Sequence, residues 1–178
     1  MQKTFIMLCG IPGSGKSTWI KNYIRMIQYN TNTENMPSYM ILSTDDIIQD
    51  IADRHGLTYN DVFGDVTYAF AERMMHKLAD IAFKKTDIVI WDQTNLNKKT
   101  RQRKMLRAPK DWFKMAIWFP VPDNLDDRLA SRPGKSIPAH VIKGMKKSFT
   151  VPDFDEGFDC IWPGDKFLER ANSYTKGS

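Results

Sequence analysis

Gly10-Ile11-Pro12-Gly13-Ser14-Gly15-Lys16-Ser17-Thr18 decides the reading of this chain. Its spacing, Gly-x-x-x-x-Gly-Lys-Ser, is that of a loop that wraps phosphates. Glycines at Gly10, Gly13 and Gly15 let the backbone adopt positive φ and approach an anion with no Cβ in the way. Successive N–H groups, those of Pro12's neighbours and Ser14 included, then point inward, and a following helix adds its positive N-terminal end. Lys16 is expected to reach the β- and γ-phosphates, and the Ser17 hydroxyl, backed by Thr18, to ligate Mg²⁺. The flanks agree. Thr4 to Cys9 (TFIMLC) is a short apolar strand, and Lys16 to Gln28 carries a helical pattern. The chain is expected to bind ATP with Mg²⁺.

Outward from the loop, strand and helix patterns alternate, which predicts a parallel α/β sheet with right-handed crossovers. Tyr29 to Ser38 is a polar loop, and Tyr39 to Leu42 a strand. Ser43-Thr44-Asp45-Asp46 supplies cap chemistry for a helix to about Arg54, stopped at His55-Gly56. Val66, Phe70, Met74, Leu78 and Ile81 recur at spacings of three and four, which predicts a long amphipathic helix over Asp65–Lys85 with these residues inward. Asp87 to Trp91 is a strand. Lys98 to Ala108 is a basic helix closed by Pro109, and Trp112 to Phe119 a further strand. Asp123 to Ser131 reads as helix, Arg132 to Ser136 as a basic loop, Pro138 to Ser148 as helix, and Phe158 to Trp162 as the last strand. Trp91, Trp112, Trp118 and Phe119 fall in or beside strands and are assigned to the core. One domain over 1–170 with a loose tail over 171–178 is expected.

Composition excludes several classes. No apolar run approaches the roughly 18 residues a membrane helix needs. Two cysteines, Cys9 and Cys160, give no disulfide framework, and His55, His76 and His140 form no metal-ligand set. A reducing, cytoplasmic setting fits. The net charge of +5 and pI near 9.1 suit a polyanionic partner.

A phosphate loop alone does not separate a kinase from a switch or a motor, so the remaining polar residues carry that decision. Asp92 follows an apolar strand at the sheet's carboxyl edge, where a carboxylate meets Mg²⁺ or its water shell. Asp45 and Asp46 end another strand at the same edge. A hydroxyl attacking a phosphoryl group needs a proton acceptor, and Asp45 is the favoured member of that pair. Arg128, Arg132 and Lys135 surround a Pro-Gly turn, the composition of a lid that closes cations over the phosphates. Lys99, Arg103 and Arg107 fall on one helical face and are able to follow a phosphate backbone, or else to form a solvated face. Thr94 and Asn95, in the loop after Asp92, are candidate acceptor contacts.

Together these motifs resemble the polynucleotide kinase branch of the P-loop phosphotransferases, the phage-type 5′-hydroxyl kinases and their animal relatives, over residues 4 to about 162. The family's general-base aspartate falls on Asp45, its strand-end Asp-Thr-Asn-Leu-Asn block on Asp92, Thr94, Asn95, Leu96 and Asn97 with Gln93 inserted, and its lid arginine on Arg132, six residues before Pro138. Val151-Pro152 with Glu156-Gly157-Phe158 is similar to a C-terminal motif of the animal-type domains. The resemblance implies a three-layer fold with a five-stranded, mostly parallel sheet in the adenylate-kinase order 2-3-1-4-5, a small basic lid, and ATP-dependent transfer to a nucleic-acid hydroxyl. Two features depart from it. Ile48 stands where the phage-type kinase has an arginine for its substrate's 3′-phosphate, and no phosphatase segment accompanies these residues. A hydroxymethylated pyrimidine in phage DNA is therefore a second acceptor, and a small molecule a third. A nucleotide-switch ATPase and a pure nucleic-acid-binding module are the alternatives of other classes.

Overall fold

The computed structural model describes residues 2–132 and 135–167. The expected tail over 171–178 and the end of the domain at 170 lie outside them, as do Pro133 and Gly134 of the lid turn. Five strands, β1 (Thr4–Cys9), β2 (Tyr39–Leu42), β3 (Ile88–Asp92), β4 (Phe113–Trp118) and β5 (Cys160–Pro163), form one sheet in the order β2-β3-β1-β4-β5. Every neighbouring pair is parallel, so the sheet has the expected order and is parallel throughout. The helices are α1 (Lys16–Asn30), α2 (Thr44–His55), α3 (Tyr59–Val62), α4 (Asp65–Lys85), α5 (Lys98–Met105), α6 (Leu125–Ala130) and α7 (Ala139–Ser148).

The period of two along β1 makes two cores, one on each face. Phe5, Met7 and Cys9 join Trp91, Trp112 and the α4 residues Met75, Ala79, Ala82 and Phe83 on one side. Ile6 and Leu8 join Ile90, Ile117, Phe119 and the α1 residues Trp19, Ile20, Tyr23 and Ile27 on the other. The assignment of the tryptophans to the core holds for Trp91 and Trp112, which are buried, and Trp118 packs against it half-buried. No helix among the described residues is long and apolar enough to cross a membrane.

Helix α4 has the expected length but not the expected inner face. Its buried residues are Ala71, Met75, Ala79, Ala82 and Phe83, while Val66, Phe70 and Ile81 are exposed. Both sets satisfy the helical period, so spacing alone does not choose between them. The alanines let the helix lie close on Phe5 and Trp91, and that close approach selects the smaller set. α2 forms as its caps dictate. Ser43 Oγ accepts from the Asp46 N–H at 3.1 Å, and Gly56 ends the helix at φ 66°.

The basic helix α5 is largely committed within the fold. Arg101 is buried and makes a two-pronged pair with buried Glu156, Nε to Oε2 and Nη2 to Oε1 both 2.7 Å. Its Nη1 also donates to the carbonyls of Asn95 (3.1 Å) and Thr150 (2.8 Å). A bidentate, fully bonded guanidinium is the arrangement in which a buried pair is tolerated. The 150–156 segment is thereby clamped to the loop after β3, which gives Glu156 in the C-terminal motif its physical reason. Lys98 pairs with Asp155, and Arg107 with Asp80 at 2.8 Å. Lys99 and Arg103 remain exposed on the outer face.

Candidate active site

The sheet order reverses between β3 and β4, and the crevice at the carboxyl end of β1 lies at that switch point. The loop from Gly10 turns there into α1. A Cβ on Gly10 would fall 2.7 Å from Ser14 Oγ and 3.0 Å from Phe119 Cβ, so only glycine fits. Gly15 caps α1 at φ 106°, with nothing nearer to a Cβ than Arg128 Nη1 at 3.9 Å, so the site stays open toward the lid. The first turn of α1 holds no acid, which leaves its positive end uncompensated.

Lys16 lies over its own loop, donating to Gly10 O at 3.0 Å and Ile11 O at 3.1 Å. Burial lowers its pKa from the ordinary lysine value; Asp92 and then Asp45 act against that, and Arg132 adds to it. Asp92, Asp45 and Arg132 thus all act electrostatically on this one ammonium. Ser14 Oγ is buried with no hydrogen-bond partner among the described residues. A buried orphan hydroxyl in a glycine-rich loop that opens a helix N-terminus fits a phosphate ligand. Ser17 and Thr18 are exposed at the mouth. No group of three His, Cys, Asp or Glu suited to a metal exists among the described residues.

The carboxylates differ in setting. Asp92 ends β3 and is pushed up to about 6, chiefly by burial, with Lys16 opposing and Asp46 and Asp45 adding to the rise. Asp46 is also raised, by burial first, against its hydrogen bond with Ser43. Asp45 is open, its side chain 54% exposed, and Asp46 beside it is exposed as well. Asp45 accepts from the Tyr59 hydroxyl at 3.0 Å and forms an ion pair with Lys135, whose ammonium also sits 3.9 Å from the Tyr59 ring centre.

The Asp92 shift has a testable sign. The folded pKa lies above the usual carboxylate value, so the native state holds an extra proton between roughly pH 4 and about 6 and loses stability as pH rises through that window. Asp92→Asn is expected to melt above the wild type at pH 7 without ligand, and the difference to vanish near about pH 4. Thermal unfolding of both proteins across that range measures it.

The loop after β3 departs from expectation at one residue. Asn95 is 1% exposed and takes the left-handed conformation, φ 45°. Its amide donates to Leu8 O at 2.6 Å and Gln93 O at 3.2 Å, and its oxygen accepts from Lys104. With its side-chain amide and oxygen both committed inside the fold, Asn95 fixes the loop against β1 and offers no free side-chain atom to an acceptor. This corrects its assignment as an acceptor contact. Thr94 stays half-buried at the edge, its carbonyl accepting from the Gly10 N–H at 2.9 Å. The inserted Gln93 donates to Thr44 Oγ1 at 3.2 Å and accepts from Trp91 Nε1 at 3.0 Å, linking the loop to the start of α2.

The segments on either side of the expected lid turn pack on the phosphate loop. Ile11, Leu125 and Ile142 share a buried cluster with Leu129, Ile137 and Met145 around it. Arg128 donates to Asn124 Oδ1 at 2.8 Å and reaches Gly13 O at 3.4 Å. Two contacts escaped the sequence reading. Tyr59 on Asp45 spans a helix and a turn, and Lys135 was legible only as a lid cation, not as the partner of Asp45.

Fold and site together define a phosphotransferase domain of the P-loop kinase class. A family model described as an AAA domain matches residues 5–152, and the chain belongs to that family. It is 25% identical over 172 residues to human heterogeneous nuclear ribonucleoprotein U-like protein 2, covering 93% of this chain and 22% of that protein. The mouse protein of that name matches at the same identity and coverage. The chain thus spans 22% of the length of these relatives.

Similar solved structures include a putative kinase from Chloroflexus aurantiacus, at TM-score 0.61 and 16% identity, covering 97% of this chain and 98% of that one. The Pnkp1/Rnl/Hen1 RNA repair complex matches at TM-score 0.60 and 18% identity, over 83% of this chain and 44% of that one. Shikimate kinase from Bacteroides thetaiotaomicron matches at TM-score 0.53 and 19% identity, over 97% and 96%. At such identities these matches speak for the fold.

Proposed function

We propose that this domain is an ATP-dependent kinase that moves the γ-phosphate to a hydroxyl of a nucleic acid, most like a polynucleotide 5′-hydroxyl kinase. The observation that carries the reading is the open Asp45 carboxylate, set by Tyr59 and Lys135 and within the field of Lys16 at the loop mouth. A switch or motor that uses water has no need of a half-exposed base beneath a cationic lid. ATP, when bound, supplies the phosphoryl group, and Mg²⁺ the charge that screens it.

Lys16 and the N–H groups from Gly13 to Thr18 hold the phosphates, with Ser17 on the metal and Asp92 behind its water shell. Asp45 accepts the proton of the attacking hydroxyl, and Asp46 shapes the field around it. Arg132 and Arg128 stabilise the charge in flight, and the lid excludes water. Thr94 borders the acceptor. The exposed Lys99 and Arg103 contact backbone phosphates. The RNA repair complex among the similar structures and the net charge of +5 support a polyanionic acceptor. The free cysteines Cys9 and Cys160 suit a reducing, intracellular setting.

A hydroxymethylated pyrimidine base is the second acceptor, and Ile48 favours it. That residue is fully buried against Tyr59 and Ala71, so no cation stands there for a 3′-phosphate, and a base hydroxyl requires none.

The test is transfer from γ-labelled ATP to 5′-hydroxyl oligonucleotides, hydroxymethyluracil duplexes and small alcohols. Label is expected in a nucleic acid, with Lys99→Glu/Arg103→Glu weakening that acceptor and flattening its salt dependence by about one unit of log–log slope per lost contact. Label only in small alcohols would overturn the nucleic-acid reading. An unchanged salt slope in the double variant would return that helix face to solvent.

A further inference from the structure

Three aromatic rings lead outward from the Asp45 carboxylate. Tyr59, 6% exposed, gives its hydroxyl to Asp45 Oδ1 at 3.0 Å. Phe63 lies one helical turn on, its ring nearly parallel to that of Tyr59, at 19° with centres 5.4 Å apart. Tyr68, at the start of α4, stands edge-on to Phe63 at 69° and 6.4 Å. The outer two are open to solvent, Phe63 at 52% and Tyr68 at 39%. The turn that carries them is built firmly. Thr58 and Asp61 form a reciprocal capping box on α3, and the Phe63 N–H donates to Tyr59 O at 2.9 Å. Asn60 meets Ser136 through two hydrogen bonds, which ties the rings to the lid.

An exposed ring is common on protein surfaces; one fixed a single ring away from a catalytic carboxylate is not explained by packing. The Lys135 ammonium sits on the Tyr59 ring, and Phe63 and Tyr68 beyond it keep much of their surface open to solvent. Aromatic faces of this kind bind nucleobases with little regard to sequence, because every base has a π-face. The hydroxyl of such a nucleotide, on the 5′ carbon of the sugar or on a hydroxymethyl group, is only a few bonds from the base that the rings would hold. Tyr68 also lies within the field of Asp45, which places the three rings and the carboxylate in one neighbourhood.

We infer that Phe63 and Tyr68 form the acceptor subsite, stacking an unpaired nucleobase so that its hydroxyl is presented to Asp45. The inference rests on the nucleic-acid reading above and makes it narrower. The acceptor is a single-stranded end or a base turned out of its helix, because a base inside a duplex is stacked on both faces.

The experiment uses Phe63→Ala and Phe63→Trp. Phe63 is half exposed, so both variants keep the core, and circular dichroism checks this. Acceptors carry a normal base or an abasic site at the phosphorylated nucleotide, in two arms, 5′-hydroxyl single strands and hydroxymethyluracil strands. The abasic acceptor applies to the 5′-hydroxyl arm. Phe63→Ala is expected to raise the acceptor KM about five- to tenfold while the ATP KM stays put, and Phe63→Trp to restore it. The abasic acceptor is expected to cost the wild type a similar factor and to cost Phe63→Ala nothing more. Quenching of 2-aminopurine at that nucleotide by the wild type, weakened in Phe63→Ala, reports the stack directly. An unchanged acceptor KM in Phe63→Ala, or equal abasic losses in both proteins, overturns the subsite while leaving the kinase reading intact. Absence of transfer to every nucleic acid, with transfer to a small alcohol, overturns both.

Discussion

Asp45→Asn is expected to slow transfer to the acceptor about 10²- to 10⁴-fold, the usual contribution of a positioned general base. Asparagine keeps the shape and still accepts from the Tyr59 hydroxyl, but it takes no proton and makes no ion pair with Lys135. The half-exposed carboxylate supports no core packing, so the melting temperature should move little. ATP affinity should also be kept, because Asp45 lies on the acceptor side of the loop. Single-turnover transfer at saturating ATP separates these effects from binding. Transfer by the variant within about threefold of the wild type, against the factor expected of a general base, would remove Asp45 from the chemistry.

Lys16→Ala carries the second large effect, a loss of about 10²–10³-fold or more in transfer, as for other preorganised charges aimed at a transition state. Its stability should not suffer in proportion. Burial already disfavours the Lys16 charge, which in the free protein donates to two loop carbonyls and is favoured by Asp92 and Asp45. Removing it relieves desolvation while losing those bonds, two effects of opposite sign. A variant that melts with the wild type yet neither binds ATP tightly nor transfers phosphate is the expected result. Unaltered transfer would mean that the loop is not a phosphate site.

Both predictions fall on residues that are legible in the chain because their chemistry is local. The phosphate loop, its strand and its helix occupy one short stretch, and each glycine answers to a dihedral or a clash found in the structure. Ser43 with Asp45 and Asp46 is likewise a cap written in consecutive residues. Once the strands are placed, right-handed crossovers leave few sheet orders, and the adenylate-kinase order is the one formed.

What stayed hidden depends on contacts far apart in sequence. Arg101 and Glu156 are 55 residues apart, so a buried guanidinium looked like one more charge on a basic helix. Lys135 and Asp45 are 90 apart, and only folding brings the lid cation onto the base. Asn95 looked like a ligand because polar strand-end loops often bind; the left-handed backbone that turns its amide inward is not written in the residue type. The face of α4 was misjudged for a different reason. Spacing fits two faces of the helix equally, and close packing on Phe5 and Trp91 selects the one that carries the alanines.

The most direct test of the central claim is the ratio of ATP consumed to phosphoryl groups recovered on a nucleic acid, measured with wild type, Lys16→Ala and Asp45→Asn under single turnover. The account predicts a ratio near about one in the wild type, because the closed lid keeps water from competing with the acceptor hydroxyl. It also predicts loss of transfer in both variants. ATP hydrolysis that is fast, indifferent to nucleic acid and unaffected by Asp45→Asn would contradict it.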